Sequence, residues 1–437
     1  MKYSCLIAAL AALMLISSAN VGAGQTSAPD SDRTQTRRAE AVSKAVHDKV
    51  LDAQEAGQAN DHATAISILA SMLAEDRLSD YERSVVNQNL GHAYYAAGDI
   101  ASAIHAFEAV LLTPDFDPRM RNTMLYTLAQ LCTVNEQYGA ALGYIDSWFE
   151  LETEPRPEAF ILHAQILYHV GRYRDMVTPI ETALAVARAR DIEAKENWYA
   201  LLAFGYFQQE NYAGIRDVNK ILLEKWPKKQ YWLYLANAYR ELQDDAKLLI
   251  AYDVLYLQGL LRSESELVTL AQLYLQNNLP FEAGIVLSAA IDDGQVTATV
   301  GTLRLLSQAW SLAQEHERAI APLEAAASLA NDGDLYIRLA NAQLSLGRHR
   351  ECAGAVRRGI EKGNLRNPDH ARISLGICLY NLHDYVAARR AFRVAADAER
   401  SKTTAYQWIR TIDDDLERLR HIEQAEAAAR VPPAERQ

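Results

Sequence analysis

Side chains that can form hydrogen bonds recur along this chain at a nearly constant spacing, and most of them are the amides of Asn and Gln. Six of them are separated by one or two intervals of about 35 residues: Gln130, Gln165, Asn237, Gln272, Gln308 and Asn341. A side-chain amide carries both donors and an acceptor, so a row of amides can match both halves of the peptide bonds of an extended segment. The alternative is that Asn and Gln only tolerate a solvated helix surface. The sequence leaves both interpretations open.

Residues typical of enzymes are present but form no recognisable catalytic pattern. The sequence contains no His-Glu-x-x-His motif, no Gly-rich phosphate loop and no Gly-x-Ser-x-Gly elbow. His163 and His169 are six residues apart and so do not share a helix face. The acidic run 413–415 is typical of a solvated helix face. We therefore predict a protein that is not an enzyme and that holds neither a metal nor a cofactor.

The composition restricts the class of protein further. The 44 basic and 56 acidic residues give a formal net charge of −12, which argues against nucleic-acid binding. Only 20 Gly and 12 Pro occur in 437 residues, which favours long helices joined by short turns over a β-sandwich or barrel. A hydrophobic content of 49% is typical of a globular protein.

The first residues have the pattern of an export signal. Lys2 precedes an apolar run over 6–16, and small residues follow it up to Ala23. This pattern predicts a signal peptide over 1–23, a flexible polar leader over 24–40 and a periplasmic location. No later segment has 18 uninterrupted apolar residues, so we expect no transmembrane helix in the mature chain.

The rest of the chain repeats a short pattern. A small residue follows a large apolar one, an aromatic or apolar residue comes three later, and a turn and a second Ala-rich segment follow. The clearest copy has Gly91, Tyr94, Gly98, Ala103 and Phe107. The small residues recur at intervals of 33 to 39, at positions 91, 129, 164, 203, 236, 271, 307, 340 and 376. Apolar residues at 3–4 spacing in both segments predict pairs of amphipathic helices.

This pattern resembles the tetratricopeptide repeat, a helix–turn–helix unit of 34 residues. The resemblance covers about residues 41–400 and implies an all-α solenoid, a right-handed superhelix of about ten helix pairs. One pair cannot bury its own apolar face, so the stack needs a terminal helix with a solvated side. We predict that capping helix over 401–429 and a disordered tail over 430–437.

The resemblance also implies which side chains face the groove. In tetratricopeptide arrays the first helix of each pair lines the concave side, and the residue after the small position points inward. The amides share that column with His92 and Phe204, and a second column lies three residues further along each helix. The predicted groove residues are His92, Tyr95, Gln130, Gln165, Tyr168, Phe204, Phe207, Asn237, Arg240, Gln272, Arg304, Gln308, Asn341 and Tyr380. Alternatively, the aromatic residues pack between adjacent repeats. The lysines typical of a chaperone-tail carboxylate clamp are missing from these columns.

Three cysteines remain after the predicted signal. Cys352 and Cys378 fall in adjacent repeats, and Cys132 falls in an earlier one. An oxidising compartment permits a bridge between the first two. The alternative is three small buried thiols, and the sequence does not decide between them.

These observations predict a periplasmic scaffold that binds a protein segment of the cell envelope in its groove. The stretches 76–98, 228–235 and 270–274 resemble exported tetratricopeptide proteins associated with TonB–ExbB–ExbD systems. That resemblance implies an accessory role in TonB-dependent transport, with components of that system as partners. The alternative is an envelope assembly factor, acting in outer-membrane biogenesis, polysaccharide export or pilus assembly.

Overall fold

The structure is a computed structural model that describes residues 42–75, 77–113 and 118–430. Within these ranges every regular element is an α-helix, and there are 21 of them. None of these helices is both long enough and apolar enough to cross a bilayer. The predicted signal peptide, the leader and residues 431–437 of the predicted tail lie outside the described residues.

The chain divides into two compact units, at Pro227 and Lys228. Unit 1 contains five helix pairs: α1 Lys44–Gln58 and α2 His62–Leu73, α3 Asp80–Ala96 and α4 Ile100–Leu111, α5 Pro118–Val134 and α6 Tyr138–Leu151, α7 Pro157–Val170 and α8 Val177–Ala189, α9 Glu196–Gln208 and α10 Tyr212–Lys225. Within this unit the two helices of each pair pack against each other, and the second helix of each of the first four pairs packs against the first helix of the next pair.

Unit 2 contains five further pairs and a terminal helix. These are α11 Lys229–Glu241 and α12 Asp245–Leu257, α13 Glu264–Gln276 and α14 Pro280–Asp292, α15 Val300–Leu312 and α16 His316–Leu329, α17 Asp334–Ser345 and α18 His349–Lys362, α19 Pro368–Asn381 and α20 Tyr385–Ala395, and α21 Glu399–Arg430. The first helices of the pairs begin 36 to 39 residues apart in unit 1 and 34 to 36 residues apart in unit 2. The predicted all-α tetratricopeptide-type array of about ten pairs with a terminal helix is confirmed. A single groove along 41–400 and its right-handed path stay predictions.

The turn inside each pair is set by one residue with a left-handed backbone. Nine of the ten pairs end their first helix at a residue with positive φ two positions before the second helix, for example Asn60 (62°), Gly98 (83°) and Gln243 (58°). The next residue caps the second helix: the side chains of Asp61 and Asp99 each accept a backbone N–H from its first turn. These caps start the second helix at a fixed place after the first.

Small residues at the predicted positions let the paired helices approach closely. A Cβ on Gly91 would lie 2.5 Å from the ring of Phe107, which is fully buried. Gly376 and Phe392 repeat the relationship in the last pair, at 2.6 Å. The aromatic side chain of the second helix therefore fills the space that the missing Cβ leaves on the first.

The terminal helix α21 covers the last pair of unit 2. Trp408 stacks on Phe392 with ring centroids 5.5 Å apart, and Ile409 and Ile412 are buried beside it. The 401–429 segment predicted as a cap lies within this helix. From Glu417 onward the described side chains of α21 are exposed.

Candidate protein-binding faces

The predicted groove residues of unit 1 lie on its first helices α3, α5, α7 and α9. One of them, His92, contacts the second helix α4, because its ring lies edge-on 5.2 Å from that of Phe107. The side chains of these groove residues are all exposed or half-buried: His92, Tyr95, Gln130, Gln165, Tyr168, Phe204 and Phe207. The small residues of the repeat pattern that precede three of them, Gly91, Ala129 and Ala164, are buried instead. Helices α3, α5 and α7 thus bury the small residue of the repeat pattern and leave the residues of the predicted columns exposed or half-buried.

Three aromatic rings meet on this face of unit 1. Tyr168 of α7 lies 5.2 Å from Phe204 of α9, and both rings lie 5.5 Å from Tyr173. The contacts are edge-on or tilted, the arrangement that aromatic quadrupoles favour. Tyr173 remains 36% exposed. The three rings form a partly open apolar patch, which we call the aromatic patch.

Sequence reasoning found two of these rings and missed the third. Tyr173 belongs to neither predicted column, because it lies in the turn between α7 and α8, two residues after Gly171. That turn is longer than the other turns within pairs. An aromatic residue in an unusually long turn is the signal that could have identified Tyr173.

Several other tyrosines join helices of adjacent pairs through their hydroxyl groups. The hydroxyl of Tyr144 donates to Glu108 at 2.7 Å, and that of Tyr206 donates to Glu181 at 2.5 Å. Burial, and then the hydrogen bond to the carboxylate, raises the pKa of both hydroxyls. These tyrosines stay protonated and act as structural links between helices.

The predicted residues of unit 2 fall into two groups. Arg240, Gln272, Gln308 and Asn341 are exposed, and Asn237 is half-buried, on first helices α11 to α17. Tyr380 differs, because its hydroxyl donates to Asp415 of α21 at 2.6 Å and its ring lies 5.2 Å from Trp408. Tyr380 therefore contributes to the packing of the terminal helix.

Arg304 and Asn341 line the same pocket in unit 2, which has a volume of about 310 Å³. Arg338, Arg366 and His370 also line it, and none of them belongs to a predicted column. The structure brings them together because Arg338 lies on the next first helix, and the other two lie just before and at the start of α19.

The described residues contain no group of three or more His, Cys, Asp or Glu side chains placed to hold a metal ion. His163, the most enclosed histidine of the α6–α7 region, lies 3.3 Å from the carboxylate of Asp146. Burial lowers its pKa despite that carboxylate. His163 is therefore mostly neutral at pH 7.

No family model and no curated protein matches the chain. Similar solved structures include a tetratricopeptide repeat protein from Parabacteroides merdae, 14% identical over 61% of this chain and 99% of that one, with a TM-score of 0.36. The TPR2AB domain of yeast Sti1, in a complex with pHSP90, is 16% identical over 61% and 99%, with a TM-score of 0.35. The helix pairs and their repeated core positions define the array.

Proposed function

We propose that this protein is a non-catalytic scaffold that binds a segment of a partner protein on the solvent-facing side of its first helices. The observation that carries the proposal is that those helices have buried positions directly beside positions that are open to solvent. Positions such as Gly91 and Ala164 are buried, while the neighbouring His92 is exposed and Gln165 is half-buried. Within each unit, the repeated helix pairs thus present polar and aromatic side chains on their first helices.

The chemistry of these side chains suits an extended polypeptide. Amides such as Gln165 and Gln272 offer both donors and an acceptor to a peptide backbone. The aromatic patch of Tyr168, Tyr173 and Phe204 offers apolar contact area, and large aromatic side chains dominate many protein interfaces. The amides would then bind the backbone of the partner segment, and the aromatic patch would bind its apolar side chains.

We propose further that the protein acts in the periplasm. The apolar run after Lys2 supports export. The disulfide between Cys352 and Cys378 supports an oxidising compartment, because such bonds are rare where thiols are kept reduced.

Within the envelope we propose an accessory role in TonB-dependent transport, supported by the similarity of residues 76–98, 228–235 and 270–274 to that group. Chemical crosslinking in intact cells, followed by identification of the crosslinked protein, tests this role. TonB, ExbB, ExbD or a TonB-dependent receptor is the expected partner. A secretin, a glycosyltransferase or an outer-membrane assembly protein would contradict the TonB role and support the assembly-factor alternative.

A variant tests the binding faces separately from the identity of the partner. Replacing Gln165, Asn237 and Gln272 together by Ala should weaken recovery of the crosslinked partner and leave helicity and melting temperature unchanged. Unchanged recovery would contradict binding by the amides. A melting temperature lowered by many degrees would show that these amides are structural instead.

A further inference from the structure

The pocket of about 310 Å³ in unit 2 has a basic lining in an otherwise acidic protein of net charge −12. Arg304 of α15, Arg338 of α17, Arg366 and His370 converge on it from three successive helix pairs. The concentration of positive charge is therefore a product of the fold, and we call this place the arginine pocket.

The two carboxylates of the arginine pocket already have partners. Asp334 accepts the backbone N–H of Arg366 at 3.1 Å, and its other oxygen lies 3.3 Å from Nε of that residue. Asp332 accepts the backbone N–H of Asp334 at 3.1 Å. Asp334 neutralises Arg366 and holds the loop before α19 in place, whereas the hydrogen bond of Asp332 stays within the turn before α17.

Arg304 and Arg338 remain without a carboxylate. Neither guanidinium forms an ion pair with any residue in the described part of the chain. Nε of Arg304 is also buried without a hydrogen-bond partner. Buried donors in folded proteins almost always have an acceptor, so this Nε is a donor that the described residues leave unsatisfied, beside a pocket that is open to a ligand.

The guanidinium groups determine the chemistry of that ligand. An arginine presents a planar set of donors that matches a carboxylate through two parallel hydrogen bonds. The pocket is also about ten times the ~30 Å³ that one water occupies in the liquid, so it has room for a side chain and adjoining backbone. The exposed amide of Asn341 at its edge can pair with that backbone.

We propose that the arginine pocket binds the side-chain carboxylate of an Asp or Glu in an extended segment of the partner protein. This inference rests on the proposed function and adds to it a chemical requirement, an acidic residue at one position of the bound segment. The net charge of −12 opposes acidic segments over the protein as a whole, whereas the guanidinium groups of Arg304 and Arg338, which the described residues leave without a carboxylate, attract an acidic residue at this place. The pocket therefore fixes the register of the segment.

Selection from a library of random twelve-residue peptides, fused at their C-termini to a phage coat protein, tests the inference on the purified mature chain. The fusion removes any free C-terminal carboxylate. We expect the wild-type protein to enrich peptides with Asp or Glu at one position. The Arg304→Gln/Arg338→Gln variant should still select peptides but without that acidic position.

Affinity measurements sharpen the test. Arg304→Gln or Arg338→Gln should each weaken binding of an enriched peptide about tenfold or more, the size of one lost charge-assisted hydrogen bond. Arg357→Gln, an exposed arginine on the second helix α18, is the matched control and should bind as the wild type does. A Glu→Gln change in the peptide should reproduce the loss.

The outcomes separate the two proposals. Enriched peptides without an acidic position, or an acidic preference that persists in the double variant, would overturn the arginine pocket and leave the scaffold function standing. Enrichment of no peptide at all would contradict both. Equal binding of inorganic phosphate to the wild type and the double variant, in a competition assay, would show that the two arginines attract no anion and would also overturn the inference.

Discussion

The guanidinium of Arg400 donates through Nε to the carboxylate of Asp369 at 2.7 Å and so joins the first turn of α21 to the first turn of α19. The hydroxyl of Ser401 donates to the same carboxylate. The Arg400 and Ser401 hydrogen bonds hold the pKa of Asp369 well below its usual range, although burial opposes them. This junction attaches the terminal helix to the stack.

Asp369→Asn should loosen the terminal helix. The substitution removes the charge that receives these donors, and we expect a loss of about 1–3 kcal/mol in unfolding free energy. Hydrogen exchange should show faster opening of α21 than in the wild type. Asp413→Asn is the control, because the Arg389–Asp413 pair is exposed and such pairs contribute about 1 kcal/mol or less. Equal effects of the two variants would show that the Asp369 junction is an ordinary surface contact.

The stability of unit 1 should depend on pH through Glu82. Hydrogen bonds from Ser43 and then from Ser79 lower the pKa of this buried carboxyl to about 2. A lowered folded-state pKa means that the contribution is complete above the unfolded value near 4.5 and is lost as the pH falls toward 2.

Denaturant unfolding between pH 7 and pH 2 tests this dependence. At pH 7 we expect Glu82→Gln to be less stable than the wild type by about 1 kcal/mol, the size of a lost helix cap. The difference should shrink as the pH falls and vanish near pH 2. A difference that stays constant over this range would contradict the role assigned to the ionised carboxylate.

Replacing each of two glycines in unit 1 by Ala should change the unfolding free energy in opposite directions. Gly91→Ala places a Cβ 2.5 Å from the Phe107 ring, and overpacking of this kind costs about 1–3 kcal/mol. Gly143 lies inside helix α6 with open space around its Cβ position, so Gly143→Ala should stabilise by about 0.5–1 kcal/mol. Thermal unfolding of both variants measures the two signs. A stabilised Gly91→Ala would contradict the close approach of α3 and α4.

The bridge between α18 and α19 should contribute measurably to stability. The Cα atoms of Cys352 and Cys378 are 5.9 Å apart, and the bond spans 26 residues. Closing a loop of that length contributes about 3.5 kcal/mol in the chain-entropy model. The double variant Cys352→Ala/Cys378→Ala should lose about that much, and reductant should bring the wild type to a similar stability. Cys132→Ala, at a buried free thiol, is the control that loses only a small side chain. Insensitivity of the wild type to reductant would contradict the bridge.

The sequence predicts the helix pairs and their turns well, because the contacts that define them lie within a single pair. Gly91 and Phe107 belong to one helix pair, so their contact follows from a pattern that repeats every 33 to 39 residues. The turns follow similarly from residues such as Gly98 and Asn60, which adopt positive φ.

The binding faces are less predictable because they combine residues of different pairs. The arginine pocket joins Arg304 to Arg366 and His370, more than sixty residues along the chain, and no column contains all three. Tyr380 shares a column with residues that face solvent, but its partner Asp415 comes 35 residues later, in the terminal helix. A column takes one position from each helix pair, so it does not show which of these positions a later helix covers.

Photocrosslinking from single positions tests the scaffold function most directly. A photoreactive amino acid would replace Gln165 or Gln308 on the first helices, and Ala185 or Arg357 on the second helices as matched exposed controls. We predict that the first-helix positions crosslink in intact cells to one and the same partner protein, while the second-helix positions do not. Crosslinks to that partner from all four positions alike, or none from Gln165 and Gln308, would contradict a partner segment held on the first-helix faces.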